Sequence, residues 1–310
     1  MSEAKYRLVT RSDFDGLVCA VLLRELEMVD EIKFVHPKDV QDGTVLLAST
    51  DITTNLPYDP RVHLAFDHHF SETLRLEAIP ENYIVSPHAP SAARVVYDHF
   101  KGPEGFPNVA PDLMEAVDKG DSAQFTEAEI REPGGWELLN FLMDARTGLG
   151  RFKEFRISNY QLMMELIDYC RNHTIDEIMA LPDVRERVEL YEEHQSQFED
   201  QIKRCTTVHG NLAVLDLRGE EIIFAGNRFL IYALYPQINI SIHVIWGLQK
   251  LNTVFAIGKS VIDRGSKTNV GELALKYGGG GHEAAGTCQV ENDDAEKVLA
   301  ELTEIITADG

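Results

Sequence analysis

The chain has 310 residues, long enough for two domains, and its 44% hydrophobic content suffices for a core in each. Acids outnumber bases, 51 Asp and Glu against 29 Lys and Arg, giving a formal net charge of −22. Long duplex nucleic acid is held by a basic surface that releases counterions, so this balance argues against such a partner and favours a short phosphorylated ligand in a local basic pocket. Cys19, Cys170, Cys205 and Cys288 are far apart and form no CxxC pair, which disfavours a disulfide framework or a thiolate zinc site. The opening residues lack a signal-peptide core and no apolar run reaches the length of a membrane span, so the expected location is the cytoplasm.

The first hundred residues alternate between strand and helix signals. Residues 6–10 read as a strand and 16–26 as a helix with Leu17, Val21 and Leu22 on one face. Residues 32–36, 45–50, 62–66 and 83–86 are further strands, and Ser91 caps a helix running to about Phe100. This alternation predicts an α/β fold with a mostly parallel sheet covered by helices. From Glu127 onward the pattern is mainly helical, with helices over 136–145, 158–173, 175–180 and 183–204. Strand patterns resume at 211–217, 221–225, 240–247 and 253–260, with helices over 228–235 and 269–277 and a closing amphipathic helix at 293–307. The expected organisation is a catalytic domain over 1–182, a connecting helix over 183–205 and a smaller α/β domain over 206–310.

Three strands of the first domain run straight into acids: 6–10 into Asp13 and Asp15, 45–50 into Asp51, and 62–66 into Asp67, His68 and His69. In an open parallel sheet the carboxyl ends of the strands form the ligand crevice, so these groups are expected to meet. Crowded carboxylates raise one another's pKa unless a cation sits among them. Oxygen-rich ligands with one or two imidazoles suit Mn²⁺, Mg²⁺ or Fe²⁺, and two such ions can generate a nucleophile and clamp a phosphoryl group. Far downstream, Gly278–Gly281 precede His282. Such backbone can approach a phosphate closely, although a helix-terminating loop explains the same glycines. A G-x-G-x-x-A match at Gly279, Gly281 and Ala284 follows a helix rather than a strand, which argues against a dinucleotide fingerprint.

Asp67-His68-His69 after an apolar strand, with D-x-D-G upstream and GGGGH downstream, resembles the DHH phosphoesterase superfamily with a DHHA1-type C-terminal domain. The likeness covers roughly residues 5–125 and 206–290. It implies Asp13, Asp15, Asp51, His68 and Asp121 as ligands of two divalent ions, Mn²⁺ before Mg²⁺, with Asp118 as the alternative to Asp121. It also implies Asp67 as a supporting group and His69 as the group facing the scissile phosphate. Gly279, Gly280, Gly281 and His282 resemble the loop that grips the far end of the substrate, and Lys259-Ser260 stands where relatives often carry Arg-Ser. Many relatives place a histidine shortly before D-x-D. Here that stretch is Val9, Thr10, Arg11 and Ser12, which makes Arg11 a candidate phosphate contact and leaves one metal position short of a ligand.

The function implied is hydrolysis of phosphodiester bonds in short oligonucleotides or dinucleotides, in a cleft between two domains. The alternatives are an exopolyphosphatase, and a nucleotide sensor with impaired catalysis. A homodimer is compatible with everything in the sequence.

Overall fold

The computed structural model describes residues 5–69, 73, 76–152 and 154–310. Among the described residues the chain runs β1 (Tyr6–Arg11), α1 (Phe14–Glu25), β2 (Val29–Val35), α2 (Pro37–Gln41), β3 (Asp51–Thr54), β4 (Leu64–Asp67), β5 (Tyr83–Val85), α3 (Ala92–His99) and α4 (Pro111–Asp121). There follow α5 (Glu127–Arg131), α6 (Gly135–Met143), α7 (Asn159–Asn172), α8 (Ile175–Met179) and α9 (Pro182–Cys205). The last stretch holds β6 (Thr206–His209), β7 (Leu212–Asp216), α10 (Leu230–Leu234), β8 (Ile240–Trp246), β9 (Thr253–Lys259), α11 (Val270–Leu275), β10 (Gly280–Gly281), β11 (Ala285–Val290) and α12 (Ala295–Asp309). Two compact units result. One comprises Met1–Gln124 with Pro133–Glu189, the other Phe125–Glu132 with Leu190–Gly310. The short segment holding α5 thus groups with the C-terminal unit, where the Arg131 guanidinium donates to the Ala233 carbonyl. Among the described residues no helix is long and apolar enough to cross a membrane.

The first unit carries a sheet in the order β2-β1-β3-β4-β5, every pairing parallel. The chain goes from β1 outward to β2, then returns to the other side of β1 for β3. The carboxyl ends of β1 and β3 therefore flank the switch point where open α/β sheets bind ligands. Helix α1 is buried almost all round, from Phe14 to Leu23, as a helix apolar on every face must be. Its N-cap is Asp13, whose side chain accepts from Gly16 N–H at 2.9 Å. Gly16 is obligatory for a spatial reason: a Cβ there would lie 2.0 Å from the Arg11 carbonyl oxygen. The turn from β1 into α1 is that tight.

The second unit has the order β10-β11-β9-β8-β7-β6, in which only β7 and β8 run parallel. One face packs Val214, Ile242, Phe255 and Ile257 against Leu273 of α11 and Leu302 of α12. On the other face the Tyr232 hydroxyl donates to the Gly258 carbonyl at 2.7 Å. Two sequence expectations are corrected here. Residues 221–225 form no strand, and the glycine run does not simply end a helix: Gly280–Gly281 is an edge strand paired with Gly286 and Thr287 of β11. The charged helix expected at 183–204 is α9, and within the first unit Arg187 anchors it. That guanidinium is fully buried, donates to Asn159 Oδ1 (3.0 Å) and the Asp183 carbonyl (2.8 Å), and lies 4.1 Å above the Phe155 ring.

Gly16→Ala is expected to cost about 1–3 kcal/mol of unfolding free energy, because the new methyl must displace backbone. Gly219→Ala, where a Cβ meets nothing within 4 Å, serves as the control in urea titrations and should change stability by less than about 0.5 kcal/mol. Equal stability of the two variants would mean that the β1–α1 turn relaxes freely.

Candidate active site

The carboxyl ends of β1 and β4 and the last turn of α4 deliver side chains to one place. Asp15, in the first turn of α1, is 2% exposed and accepts from Ala92 N–H (3.0 Å) and Ala93 N–H (2.8 Å) at the start of α3. His68, just past β4, places Nδ1 3.1 Å from the Ala89 carbonyl oxygen, which assigns the proton to Nδ1 and turns the Nε2 lone pair inward. Asp121 ends α4, and its Oδ2 lies 3.0 Å from that Nε2. The contact lacks hydrogen-bond geometry, so Nε2 is buried without a hydrogen-bond partner. Ligand atoms of Asp15, His68 and Asp121 all lie within 4.8 Å of one another. A buried lone pair facing two carboxylates, with its outer nitrogen fixed by a carbonyl, is the arrangement of a metal-ligating histidine and its supporting shell. These three residues fit a divalent cation.

Electrostatics point the same way. Burial holds the Asp15 carboxyl well above its usual range, and the negative charges of Asp121 and Asp13 push in the same direction. Burial works against a charged His68, but Asp121 and then Asp15 outweigh it and drive the imidazole up to about 10. Burial opposes the Asp121 carboxylate too, yet His68 brings its pKa below the ordinary value. Without a metal these charges favour a second proton, on Nε2, and a cation takes the Nε2 lone pair by displacing it.

Asp67 is fully buried and both its carboxylate oxygens are engaged. Oδ1 accepts from His68 N–H (2.9 Å) and lies 2.6 Å from His69 Nδ1, and Oδ2 accepts from the Tyr83 hydroxyl (2.9 Å). It orients the His69 ring. Asp13 lies beside the cluster, with its Oδ2 2.8 Å from Arg11 Nε. Burial raises the Asp13 carboxyl, with Arg11 acting against the rise.

Two metal expectations are corrected. The strand is Asp51–Thr54 rather than 45–50, so Asp51 starts β3 instead of following it. It pairs in register with Arg7 at the amino ends of the strands, roughly 10 Å from the crevice at about 3.3 Å per residue. There Arg7 grips it through Nε (2.9 Å) and Nη2 (2.7 Å). Asp118 is turned away from Asp121 and receives the Ser91 hydroxyl (2.8 Å) and the Arg94 Nε (2.9 Å), bracing α3 against α4. The position at the tip of β3 belongs to Asn55, 1% exposed at φ 55°, with Nδ2 3.5 Å from Asp13 Oδ1 and Oδ1 without a partner. Among the described residues no second group with metal-ligand geometry forms. Beside Asp13 stand the Arg11 guanidinium and the Asn55 carboxamide.

Arg146 was invisible in the sequence because the helical stretch around it matches no motif. It sits within a short 3₁₀ turn, Ala145–Thr147, pairs with Asp144 (2.7 Å) and keeps its side chain 54% exposed. Burial disfavours its charge, and Asp144, Asp13 and Asp121 outweigh that effect. The site therefore has two arginines at its rim.

In the second unit, Lys259 Nζ lies 3.1 Å from Glu283 Oε1, and Lys259 N–H donates to the Ala284 carbonyl at 2.8 Å, so the glycine corner sits against the end of β9. Gly281 has φ 154°, and a Cβ there would lie 2.3 Å from the Ala285 carbonyl oxygen. His282 donates its N–H to that same oxygen (2.7 Å), and the residue is exposed. Ser260 and Gly279, both expected at the substrate loop, are packed into this corner. Ser260 is 3% exposed and its oxygen accepts from Ile262 and Asp263 N–H, while a Cβ on Gly279 would lie 2.1 Å from the Thr287 carbonyl oxygen.

Titrating metal-free protein with Mn²⁺ should give one tight ion per chain, because one ligand group forms. Below a His68 pKa of about 10 each ion must expel a proton, so affinity should rise by about tenfold per pH unit from about pH 6 to about pH 9. Two tight ions, or affinity independent of pH, would contradict the assignment. Asp51→Asn should leave Mn²⁺ uptake unchanged and cost about 1–3 kcal/mol of stability through the weakened Arg7 pair; lost uptake would return Asp51 to the site.

No protein-family model and no curated protein sequence matches the chain. Among solved structures, a pGpG-specific phosphodiesterase, PggH from Vibrio cholerae, is 61% identical with a TM-score of 0.83, covering 99% of this chain and 100% of that one. RecJ from Thermus thermophilus, solved in complex with Mn²⁺, is 15% identical with a TM-score of 0.55 over 97% of this chain and 52% of its own length, a likeness of fold alone. With its Asp15-His68-Asp121 group, its Asp67-oriented His69 and 61% identity to that phosphodiesterase over 99% of its length, the chain belongs to the DHH phosphoesterase superfamily.

Proposed function

We propose that this protein is a metal-dependent phosphodiesterase that cleaves short linear dinucleotides, pGpG among them, to mononucleotides. The observation that carries the proposal is the 61% identity, over 99% of the chain, to a pGpG-specific phosphodiesterase, and the Asp15, His68 and Asp121 group supports it. The N-terminal unit is taken as the DHH-type catalytic domain and the C-terminal unit as the DHHA1-type substrate-binding domain.

A divalent ion held by Asp15, His68 and Asp121 supplies Lewis acidity and lowers the pKa of water. Mn²⁺ is the proposed ion, since two carboxylates and one imidazole suit it and RecJ offers a precedent for the fold. The remaining work belongs to side chains on the page. Asp67 holds His69 through Nδ1, and His69 in its imidazolium form is proposed to give a proton to the leaving oxygen. Arg11 and Arg146 sit where phosphate oxygens arrive, and each has an acidic partner, Asp13 and Asp144, that fixes its direction. Lys259 and His282 stand at the glycine corner of the other unit and are proposed to hold the terminal phosphate. A substrate this small suits a chain whose net charge is −22, because it needs only these few cations.

Asp121→Asn should lower kcat on pGpG by at least about a thousandfold, and His69→Ala by about 10²–10⁴-fold, with metal content lost in the first variant and kept in the second. Steady-state kinetics with Mn²⁺, compared with an EDTA control, checks both. Wild-type protein that binds Mn²⁺ and still fails to cleave pGpG would overturn the proposal; cleavage of polyphosphate in its place would establish the exopolyphosphatase.

A further inference from the structure

Beside the metal group, wholly within the first unit, lies a cavity of about 230 Å³. Its walls are the buried side chains of Leu142, Met143, Leu149 and Met163, with Tyr160 of α7 at its edge. The size is informative: a pocket that encloses a whole drug-sized ligand spans roughly 300–1,000 Å³, so this one takes a single ring system rather than an entire dinucleotide. The lining is informative too. Two thioethers and an aromatic ring present soft, polarisable surface to a flat π system. Tyr160 is 45% exposed and meets Phe34 edge-on, with ring centroids 6.0 Å apart, so its ring is steered by a neighbour while remaining open to solvent.

Position connects the cavity to the chemistry. Ser12 lines it and directly precedes Asp13; the Ser12 hydroxyl lies 3.4 Å from Met163 Sδ, joining the Asp13 loop to the cavity wall. Ala145 lines the opposite side and directly precedes Arg146, whose charge is felt by Asp13 and Asp121. The cavity wall is thus one residue away in sequence from both Arg11 and Arg146.

We propose that this cavity is a nucleobase slot that receives a purine of the substrate and so sets the scissile phosphate over the Asp15–His68–Asp121 group. Asp144 and Asn159 form its polar rim. Asn159 Oδ1 is committed to Arg187 Nε at 3.0 Å, which fixes the carboxamide orientation, so recognition at the base edge comes from a rigid group. The slot deepens the dinucleotide-cleaving function proposed above and rests on it for its substrate, but its occupant can be probed separately.

The test is calorimetric titration of the full-length, Mn²⁺-loaded protein with GMP and, as a phosphate without a base, ribose 5-phosphate. Wild-type protein should bind GMP at least fivefold more tightly than ribose 5-phosphate. Leu149→Trp, which fills the slot, and Tyr160→Ala, which removes its exposed edge at little risk to folding, should each weaken GMP binding at least fivefold. Tyr160→Phe should restore wild-type affinity. Smaller differences between the two probes, or smaller effects in a folded Tyr160→Ala protein, overturn the slot. Turnover of pGpG separates the two proposals. Cleavage by wild-type protein with unaltered KM in the variants discards the slot and keeps the phosphodiesterase. A fivefold GMP preference without any cleavage keeps the slot and discards the phosphodiesterase.

Discussion

Asp15, Asp121 and His68 Nε2 are forced to within 4.8 Å of one another in a largely buried place, and the architecture around them follows from that constraint. Two carboxylates cannot be ionised so close together in low dielectric without a compensating cation. In the metal-free protein a proton on His68 fills that need, and the cluster is arranged so that a divalent ion can displace it. The surroundings exist to hold the three groups against their repulsion. Two backbone N–H groups at the start of α3 grip Asp15, a carbonyl grips His68, and Asp118 ties α3 to α4 through Ser91 and Arg94 so that Asp121 stays in reach. Even the tight β1–α1 turn, which admits only glycine at residue 16, serves to put Asp15 where α3 can receive it.

Charge near the site is divided between roles. Asp67 could have joined the metal group on sequence grounds, but its two oxygens are spent on His69, the His68 amide and Tyr83. Asp13 faces Arg11 and is linked to Asn55. The result is a centre with, among the described residues, one Asp-His-Asp group and an arginine-bearing rim, in a chain that is strongly acidic overall. Such a layout favours a small substrate whose few phosphates are met one by one over a long polyanion held by bulk charge.

The residues legible in the sequence were those whose role is local. D-x-D-G announces itself because the N-cap, the first-turn acid and the glycine all serve one strand-to-helix turn. Asp67, His68 and His69 follow a short apolar strand that ends where expected. Asp121 lay within a recognisable spacing. Asp51 was misplaced because Val45 and Leu47 are buried although they lie outside any strand, whereas the true strand, Asp-Ile-Thr-Thr, is mostly polar in composition. A strand buried on both faces need not alternate, so periodicity could not set its register. The end of the strand lies four residues later than expected, at Thr54, and that hid Asn55. Arg146 was hidden for a different reason: a 3₁₀ turn carries it to the site, and only tertiary placement gives it meaning. The glycine corner read as a loop because strand propensity is absent from a run of glycines, and pairing with β11 is what makes it an edge strand.

The central claim is that Asp15, His68 and Asp121 together bind the catalytic ion. Its most direct test is an anomalous difference map from crystals of the wild-type protein grown with Mn²⁺. The account predicts a manganese peak in bonding contact with the Asp15 carboxylate, His68 Nε2 and the Asp121 carboxylate, and no peak at Asp51 or Asp118. Manganese bound elsewhere, with those three groups still paired only with one another, would contradict it.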